Sequence, residues 1–253
     1  MRRPALLIGM FALSMSASAL NLNDLKAKVD ELKQSNSGSS PSQATDLDRF
    51  SPQEQADSLK QALTQGAESA VKELARVDGY LGNPKVRIPM PDNLRKVDNA
   101  LRRIGLGKYA DELVTSMNRA AEAAVPEAKA LLIAAVKSMT VTDAKNILLG
   151  PDDAATQFFR RNTEAALSVK FKPIVNQSMK KVSLAQAYDR FAGKGVRLGL
   201  VKEQDAHLDD YITRKALDGL YLMMAEQEKA IRANPLQATT DLAKRVFAAI
   251  RGQ

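Results

Sequence analysis

The polar side chains best placed for chemistry follow one border of a predicted helix. Asp111, Asn118 and Glu122 recur at intervals that place them along one helix face, and Arg119 lies beside them. Glu127 opens the next predicted helix. Carboxylates and amides on such a border either hydrogen-bond to a neighbouring element or line a ligand cleft. The sequence leaves both interpretations open, and the ligand hypothesis assigns the binding role to Asp111, Asn118, Arg119, Glu122 and Glu127.

A sixth candidate, Asp218, lies within an apolar stretch, Ala216–Ala225. A helix that is apolar nearly all round is usually central in a domain, so we expect this carboxylate to be buried. A buried carboxylate needs a partner, and Lys215 precedes it by one helical turn. Asp218 therefore either forms an internal ion pair with Lys215 or acts as a ligand-binding carboxylate.

Several classes of chemistry are excluded by residue type. The chain has one histidine and no cysteine, so zinc helices with two histidines, thiol nucleophiles and thiolate metal sites are excluded. The acidic residues around His207 occupy a predicted helix start, where they favour the positive end of the helix. We therefore assign no catalytic residue, no metal site and no cofactor.

Helical periodicity dominates the chain from Ser51 onward. Ser51, Pro52 and Glu54 match a helix start, with a capping serine, a proline in the first turn and a glutamate that completes a capping box. Glycines and prolines separate the later apolar patterns. We place the helices that follow near residues 92–104, 108–124, 126–138, 141–149, 152–170, 173–192, 206–232 and 236–250.

One segment, Gly79–Pro91, departs from this period. It contains several prolines, and Val86, Ile88 and Met90 alternate with polar or proline residues, as in an extended arm or a lone short strand of a hairpin. The sequence therefore predicts an all-α fold, a compact multi-helix bundle of about eight to nine helices with one short extended Pro-rich segment.

The first residues carry an export signal. Arg2 and Arg3 precede an apolar run, Ala5–Met15, and small residues follow at Ala17 and Ala19. This pattern indicates a signal peptide over residues 1–19, cleavage after Ala19 and a periplasmic protein. The run is shorter than the roughly 20 apolar residues of a membrane span, so we expect a soluble mature chain. Residues 20–50 are expected to hold a short helix and a flexible Ser-rich linker, and residues 51–253 a single all-helical domain.

The net charge of the chain limits the kinds of binding partner that we expect. Loss of Arg2 and Arg3 lowers the formal net charge from +8 to +6, and the remaining basic residues occur as scattered pairs. Export separates the chain from nucleic acid, so we expect no nucleic-acid partner. The expected partners are a small ligand or an envelope protein, with weak association to anionic membrane or wall surfaces; the oligomeric state is left open.

Four blocks of the sequence together resemble one family. They are Gly82–Pro89, Met117–Ala128, Asp153–Arg160 and Asp218–Leu220. The chain resembles the bacterial exported family catalogued as domain of unknown function 4197, over about Ser58 to Ile250. The resemblance implies a bacterial envelope protein, and it assigns no activity, cofactor or site residue.

These observations lead to one functional hypothesis and two alternatives. We expect an uncharacterised periplasmic helical module that binds a partner or a small ligand beside Asp111, Asn118 and Glu122. The first alternative is a carboxylate-dependent hydrolase or lyase of the cell envelope, because carboxylates can act as acid and base. The second is a structural protein that lies on anionic envelope surfaces through its basic pairs.

Overall fold

The computed structural model describes residues 46–180, 182, 185–186, 207–238 and 240–250. All of them belong to one compact unit, Thr45–Gln253. The predicted signal peptide, the Ser-rich linker, residues 187–192 of a predicted helix and the acidic residues Glu203 and Asp205 lie outside the described residues. None of the helices described has both the length and the apolar character needed to cross a membrane.

The described chain is built from α-helices joined by turns and short 3₁₀ segments, with no strand among the described residues. The helices are α1 (Pro52–Ala75), α2 (Arg95–Arg103), α3 (Gly107–Ala124), α4 (Ala128–Ser138), α5 (Val141–Leu148), α6 (Ala154–Met179), α7 (Leu208–Ala233) and α8 (Asp241–Ile250). The 3₁₀ segments are Asp46–Arg49, Asp92–Leu94, Val125–Glu127 and Pro235–Gln237. The predicted all-α class is confirmed.

Two helices begin at capping boxes, as their sequences predict. The Ser51 hydroxyl accepts a hydrogen bond from the Glu54 N–H, and the Glu54 carboxylate accepts one from the Ser51 N–H at 2.8 Å. Thr140 and Asp143 make the same reciprocal pair at the start of α5. These hydrogen bonds stabilise the charged carboxylates, which lowers the pKa of both Glu54 and Asp143.

The predicted separation of a helix near 152–170 from one near 173–192 is wrong, because α6 runs through Pro173 without interruption. A proline inside a helix removes the N–H that would bind the carbonyl four residues earlier, here Val169. Pro173 and Val169 are both exposed, so water can bind that carbonyl. The helix ends at Met179 and not near residue 192.

The core is centred on α6 and α7, which pack along each other. Helix α3 packs on α6, while α1 contacts α4, α5 and α7. Small side chains allow close approach of the helix axes, and the alanines of α3 that are fully buried are Ala110, Ala120, Ala121 and Ala124. The resulting core is mainly aliphatic, with a few buried aromatic rings.

The Pro-rich segment, which we call the arm and define as residues 78–91, folds in turns as far as Val86, and residues 87–91 continue outside helices and turns. Val86, Ile88 and Met90 are buried, whereas Arg87 and Pro89 between them, and Lys85 before them, are exposed. This alternation is the one expected for extended backbone, in which successive side chains point to opposite sides. The arm therefore contributes apolar side chains to the core and presents cations to solvent.

Candidate functional site

Asn118 fixes the middle of the arm to α3. Its side chain is fully buried, and its Oδ1 accepts a hydrogen bond from the Ile88 N–H at 2.8 Å. Its Nδ2 donates to the Ile88 carbonyl at 3.0 Å and to the Val114 carbonyl at 2.8 Å. One amide thus satisfies both backbone groups of Ile88, which is the role that a neighbouring strand has in a sheet.

Glu122 and Arg119 fix the start of the arm. The buried Glu122 Oε1 accepts from the Tyr80 N–H at 3.1 Å and from the Leu81 N–H at 3.2 Å. Its other oxygen pairs with Arg119 at 2.6 Å, and Arg119 reaches Asp78 at 2.8 Å. The carboxylate is therefore paired and hydrogen-bonded, as a buried charge requires.

Helix α7 holds the arm from the opposite side. The Tyr80 hydroxyl donates to the Ala216 carbonyl at 2.6 Å, and the Tyr211 hydroxyl donates to the Pro89 carbonyl at 3.1 Å. Gly219 makes room for the arm, because a Cβ there would lie 2.7 Å from Tyr80 Cε1. Burial, and secondarily the Glu122 charge, raises the pKa of Tyr80, so its hydroxyl stays a donor.

The other two candidates of this border form no hydrogen bond with the described residues of the arm. Asp111 is exposed and pairs with Arg102, whose hydrogen bond lowers the pKa of that carboxyl group. Glu127 is also exposed, and its carboxylate lies 3.9 Å from the Lys170 ammonium group. The predicted border therefore divides into two buried side chains that brace the arm and two surface carboxylates in ion pairs.

The expected burial of Asp218 is wrong, and so is its expected partner. The side chain is 42% exposed, and its Oδ1 lies 3.3 Å from Arg160 Nη1 on α6. Arg160, rather than Lys215, forms the ion pair because α6 packs beside this turn of α7. Asp218 instead faces a groove between α7 and the arm.

This groove, which we call the basic groove, has a volume of about 170 Å³. It is lined by Lys85, Val86, Arg87, Ile88, Pro89, Lys215, Asp218, Gly219 and Leu222. Three cations thus face one carboxylate. The groove presents a net positive charge above a floor of arm backbone and apolar side chains.

The three cations of the basic groove differ in their partners. Lys85 Nζ contacts both carboxylate oxygens of Glu226, at 2.8 and 2.7 Å. Arg87 and Lys215 form no ion pair with any described residue, but Arg87 lies close enough to Asp111 for its charge to help lower the pKa of that carboxyl group, after Arg102. Lys215 Nζ lies 6.0 Å from the centre of the Tyr211 ring. Arg87 and Lys215 therefore supply most of the uncompensated positive charge of the groove.

A comparison with known families decides the relationship of the chain. The family model described as "Protein of unknown function (DUF4197)" matches residues 49–248. The chain belongs to the DUF4197 family. This match confirms the resemblance seen in the sequence, and it spans every residue of the arm and of the basic groove. No curated protein and no solved structure matches the chain.

Sequence reasoning missed the cations of the groove in this DUF4197 member. Lys215 lies on α7, far along the chain from Lys85 and Arg87, so no local spacing links them. A usable signal was present in the arm itself. Lys85 and Arg87 alternate with the apolar Val86 and Ile88, and alternate residues of extended backbone face opposite sides.

A second buried pair, Glu228 and Arg232, was also missed. The Glu228 carboxylate accepts from the N–H groups of Ala155 and Thr156 at 2.9 Å each, at the start of α6. Arg232 pairs with Glu228 at 3.0 Å and donates to the carbonyls of the last two residues of α5. The pair thus caps two helix ends, and its i,i+4 spacing on α7 was the available signal.

Tyr221 is a second buried phenol in the core of this DUF4197 member. Thr163 donates its proton to the Phe159 carbonyl at 2.8 Å, so Tyr221 is the donor in its own 2.8 Å contact with Thr163. Burial raises the pKa of Tyr221 to about 12. The phenol is neutral at physiological pH and is unsuited to act as a base there.

Proposed function

We propose that this protein is a non-enzymatic binding module of the bacterial envelope, and that the basic groove binds an anionic group such as a phosphate or carboxylate. The observation that supports the proposal is the placement of Arg87 and Lys215 in one groove, with no carboxylate of a described residue at ion-pair distance from either. Cations that lack internal partners are available to form charge-assisted hydrogen bonds with an anion. The periplasmic part of the proposal rests on the N-terminal sequence pattern alone.

The rigidity of the arm is the second support. An ordinary surface loop leaves its backbone groups to water, but the backbone of this arm is bound by Asn118, Glu122 and Tyr211. Burying an amide and a carboxylate for this purpose is costly unless they are well paired. Because the backbone of the arm is fixed, Lys85 and Arg87 start from fixed positions before a ligand binds, which reduces the entropy lost on binding.

The size and the charge of the groove define the class of ligand. A volume of about 170 Å³ is below the range of about 300 Å³ and more that is usual for drug-sized ligands. It suits a single anionic group or the anionic end of a larger molecule. Asp218 does not cancel the cations, because its charge is already paired with Arg160.

An enzymatic role has less support from the same geometry. A carboxylate-dependent hydrolase uses one carboxyl group as acid and another as base or nucleophile. Among the described residues that line the basic groove, Asp218 is the one acidic side chain.

The proposal is tested by isothermal titration of the purified protein with inorganic phosphate and, in parallel, with acetate at low ionic strength. Arg87→Gln and Lys215→Gln should each weaken binding about tenfold, because a hydrogen bond to a charged group contributes about 1.5–3 kcal/mol. Lys72→Gln is the matched control, since Lys72 is an exposed cation in the last turn of α1. It should bind like the unchanged protein.

Two results would contradict the proposal. One is that neither anion binds the unchanged protein. The other is that the groove variants and Lys72→Gln bind the anions equally well, which would show that any binding reflects net charge alone.

A further inference from the structure

The turn between α2 and α3 exposes apolar side chains that the core does not use. Ile104, Leu106 and Tyr109 are 68%, 38% and 39% exposed, respectively. Gly105 adopts a φ of 77° and ends α2 abruptly, with open space where a Cβ would be. Helix α2 packs mainly on α3, so this turn is the end of a helical hairpin at the edge of the domain.

Cations surround these apolar side chains. Residues 102–109, which we call the hairpin tip, include Arg102, Arg103 and Lys108 and no acidic residue. Arg102 is paired with Asp98 and Asp111, whereas Arg103 and Lys108 form no ion pair with the described residues. Lys108 Nζ lies 5.1 Å from the centre of the Tyr109 ring, so the cation and the exposed ring form one surface.

This combination matches the interface of an anionic bilayer better than it matches a soluble partner. Apolar side chains partition into the boundary between headgroups and acyl chains, and tyrosine is enriched at that depth. Lysine and arginine beside them are attracted to the negative lipid phosphates. An acidic protein surface would complement the cations but would leave Ile104 and Leu106 against polar groups.

We infer that the hairpin tip docks the protein on the surface of an anionic phospholipid bilayer, with Ile104 and Leu106 in the interface and Arg103 and Lys108 on lipid phosphates. The hairpin tip shares no residue with the lining of the basic groove, and the inference does not depend on anion binding there. Val77 and Val169, which are 74% and 75% exposed, each lie beside one cation in the sequence, Arg76 and Lys170, but neither belongs to a run with further exposed apolar side chains. Leu236, which is 77% exposed, lies between Pro235 and Gln237, which carry no charge.

The first test uses fluorescence, because the chain contains no tryptophan. In the protein purified from its host, Leu106→Trp introduces a single emitter at the hairpin tip. We expect its emission to shift to the blue with vesicles of phosphatidylglycerol and phosphatidylethanolamine, and brominated acyl chains to quench it. Leu236→Trp is the control and should show neither change. No shift at position 106, or an equal shift at position 236, would overturn the inference.

The second test measures the partition of the protein into the same vesicles by sedimentation. Arg103→Gln combined with Lys108→Gln should weaken partition about 30-fold, since each basic residue near an anionic surface contributes about fivefold. Ile104→Ser should weaken it about tenfold through lost apolar burial. Lys72→Gln should leave partition unchanged. Because the substituted side chains at the tip are exposed, thermal melts should show that these variants remain folded.

The outcomes of the second test separate membranes from other partners and from the groove. Wild-type partition should fall in phosphatidylcholine vesicles, which carry no net charge, and should weaken as salt screens the cations. Three results would overturn the inference. They are equal partition into neutral vesicles, unchanged partition of the tip variants, and a loss of partition in Arg87→Gln and Lys215→Gln but not in the tip variants. Failure of phosphate to bind the basic groove would leave it standing.

Discussion

Replacement of Asn118 by alanine removes the amide that binds the middle of the arm. Two buried backbone groups of Ile88 then lose their partner, while the Val114 carbonyl keeps its place in the helix. An unsatisfied buried polar group costs about 1–3 kcal/mol. A water molecule in the vacated space recovers part of this, so we expect Asn118→Ala to lower the free energy of unfolding by about 3 kcal/mol.

The assay is urea unfolding followed by circular dichroism, together with a thermal melt. For a domain of this size, 3 kcal/mol corresponds to a fall of about 6–12 °C in the melting temperature. The matched control is Asn162→Ala on α6, where the exposed amide donates to the Phe158 carbonyl of its own helix. That variant should change stability by no more than about 0.5 kcal/mol, as surface substitutions usually do.

Hydrogen exchange gives a local measurement of the same bond. The Ile88 N–H donates to the Asn118 side chain, so it should exchange much faster in Asn118→Ala than the helical amides of α3 do. The reasoning is refuted if Asn118→Ala melts like Asn162→Ala, or if the Ile88 amide stays as protected as in the unchanged protein. Either result would mean that the arm does not depend on this amide.

Two further predictions concern the fit of the arm and the buried phenol. Gly219→Ala should lower the free energy of unfolding by about 1–3 kcal/mol, because the added Cβ would press on Tyr80. Gly66→Ala, where the added Cβ would enter open space on α1, should raise the free energy of unfolding by about 0.5–1 kcal/mol. Urea unfolding measures both changes. Burial raises the pKa of Tyr221 to about 12 in the folded state, above the value of about 10 in the unfolded chain. The neutral phenol contributes fully to the free energy of unfolding below about pH 10, and this contribution is lost as the pH rises toward about 12. Between these two pH values, the free energy of unfolding should therefore decline less in Tyr221→Phe than in the unchanged protein. Equal declines in the two proteins would contradict the burial of this phenol.

The sequence by itself determined the elements that depend on near neighbours. Both capping boxes join residues three apart, so Ser51 and Thr140 identify helix starts without any knowledge of packing. The alternation of Val86, Ile88 and Met90 likewise predicted an extended arm or a lone short strand, and these three side chains are buried in the structure. Local sequence did not predict that α6 continues through Pro173. A proline inside a helix is tolerated when the carbonyl it leaves unbound reaches water, and that depends on exposure.

Only the tertiary structure decided what the polar side chains do. Asn118 and Glu122 lie on the border that the period predicted, but their partners are backbone groups of the arm, which come from another part of the chain. The basic groove joins Arg87 of the arm to Lys215 of α7, and Asp218 is only partly buried beside it, paired with Arg160 of α6. Capping and periodicity act within a few residues, so the local sequence encodes them. The partner of a buried amide or an unpaired cation depends on which distant elements pack together, and that depends on the burial of the whole core.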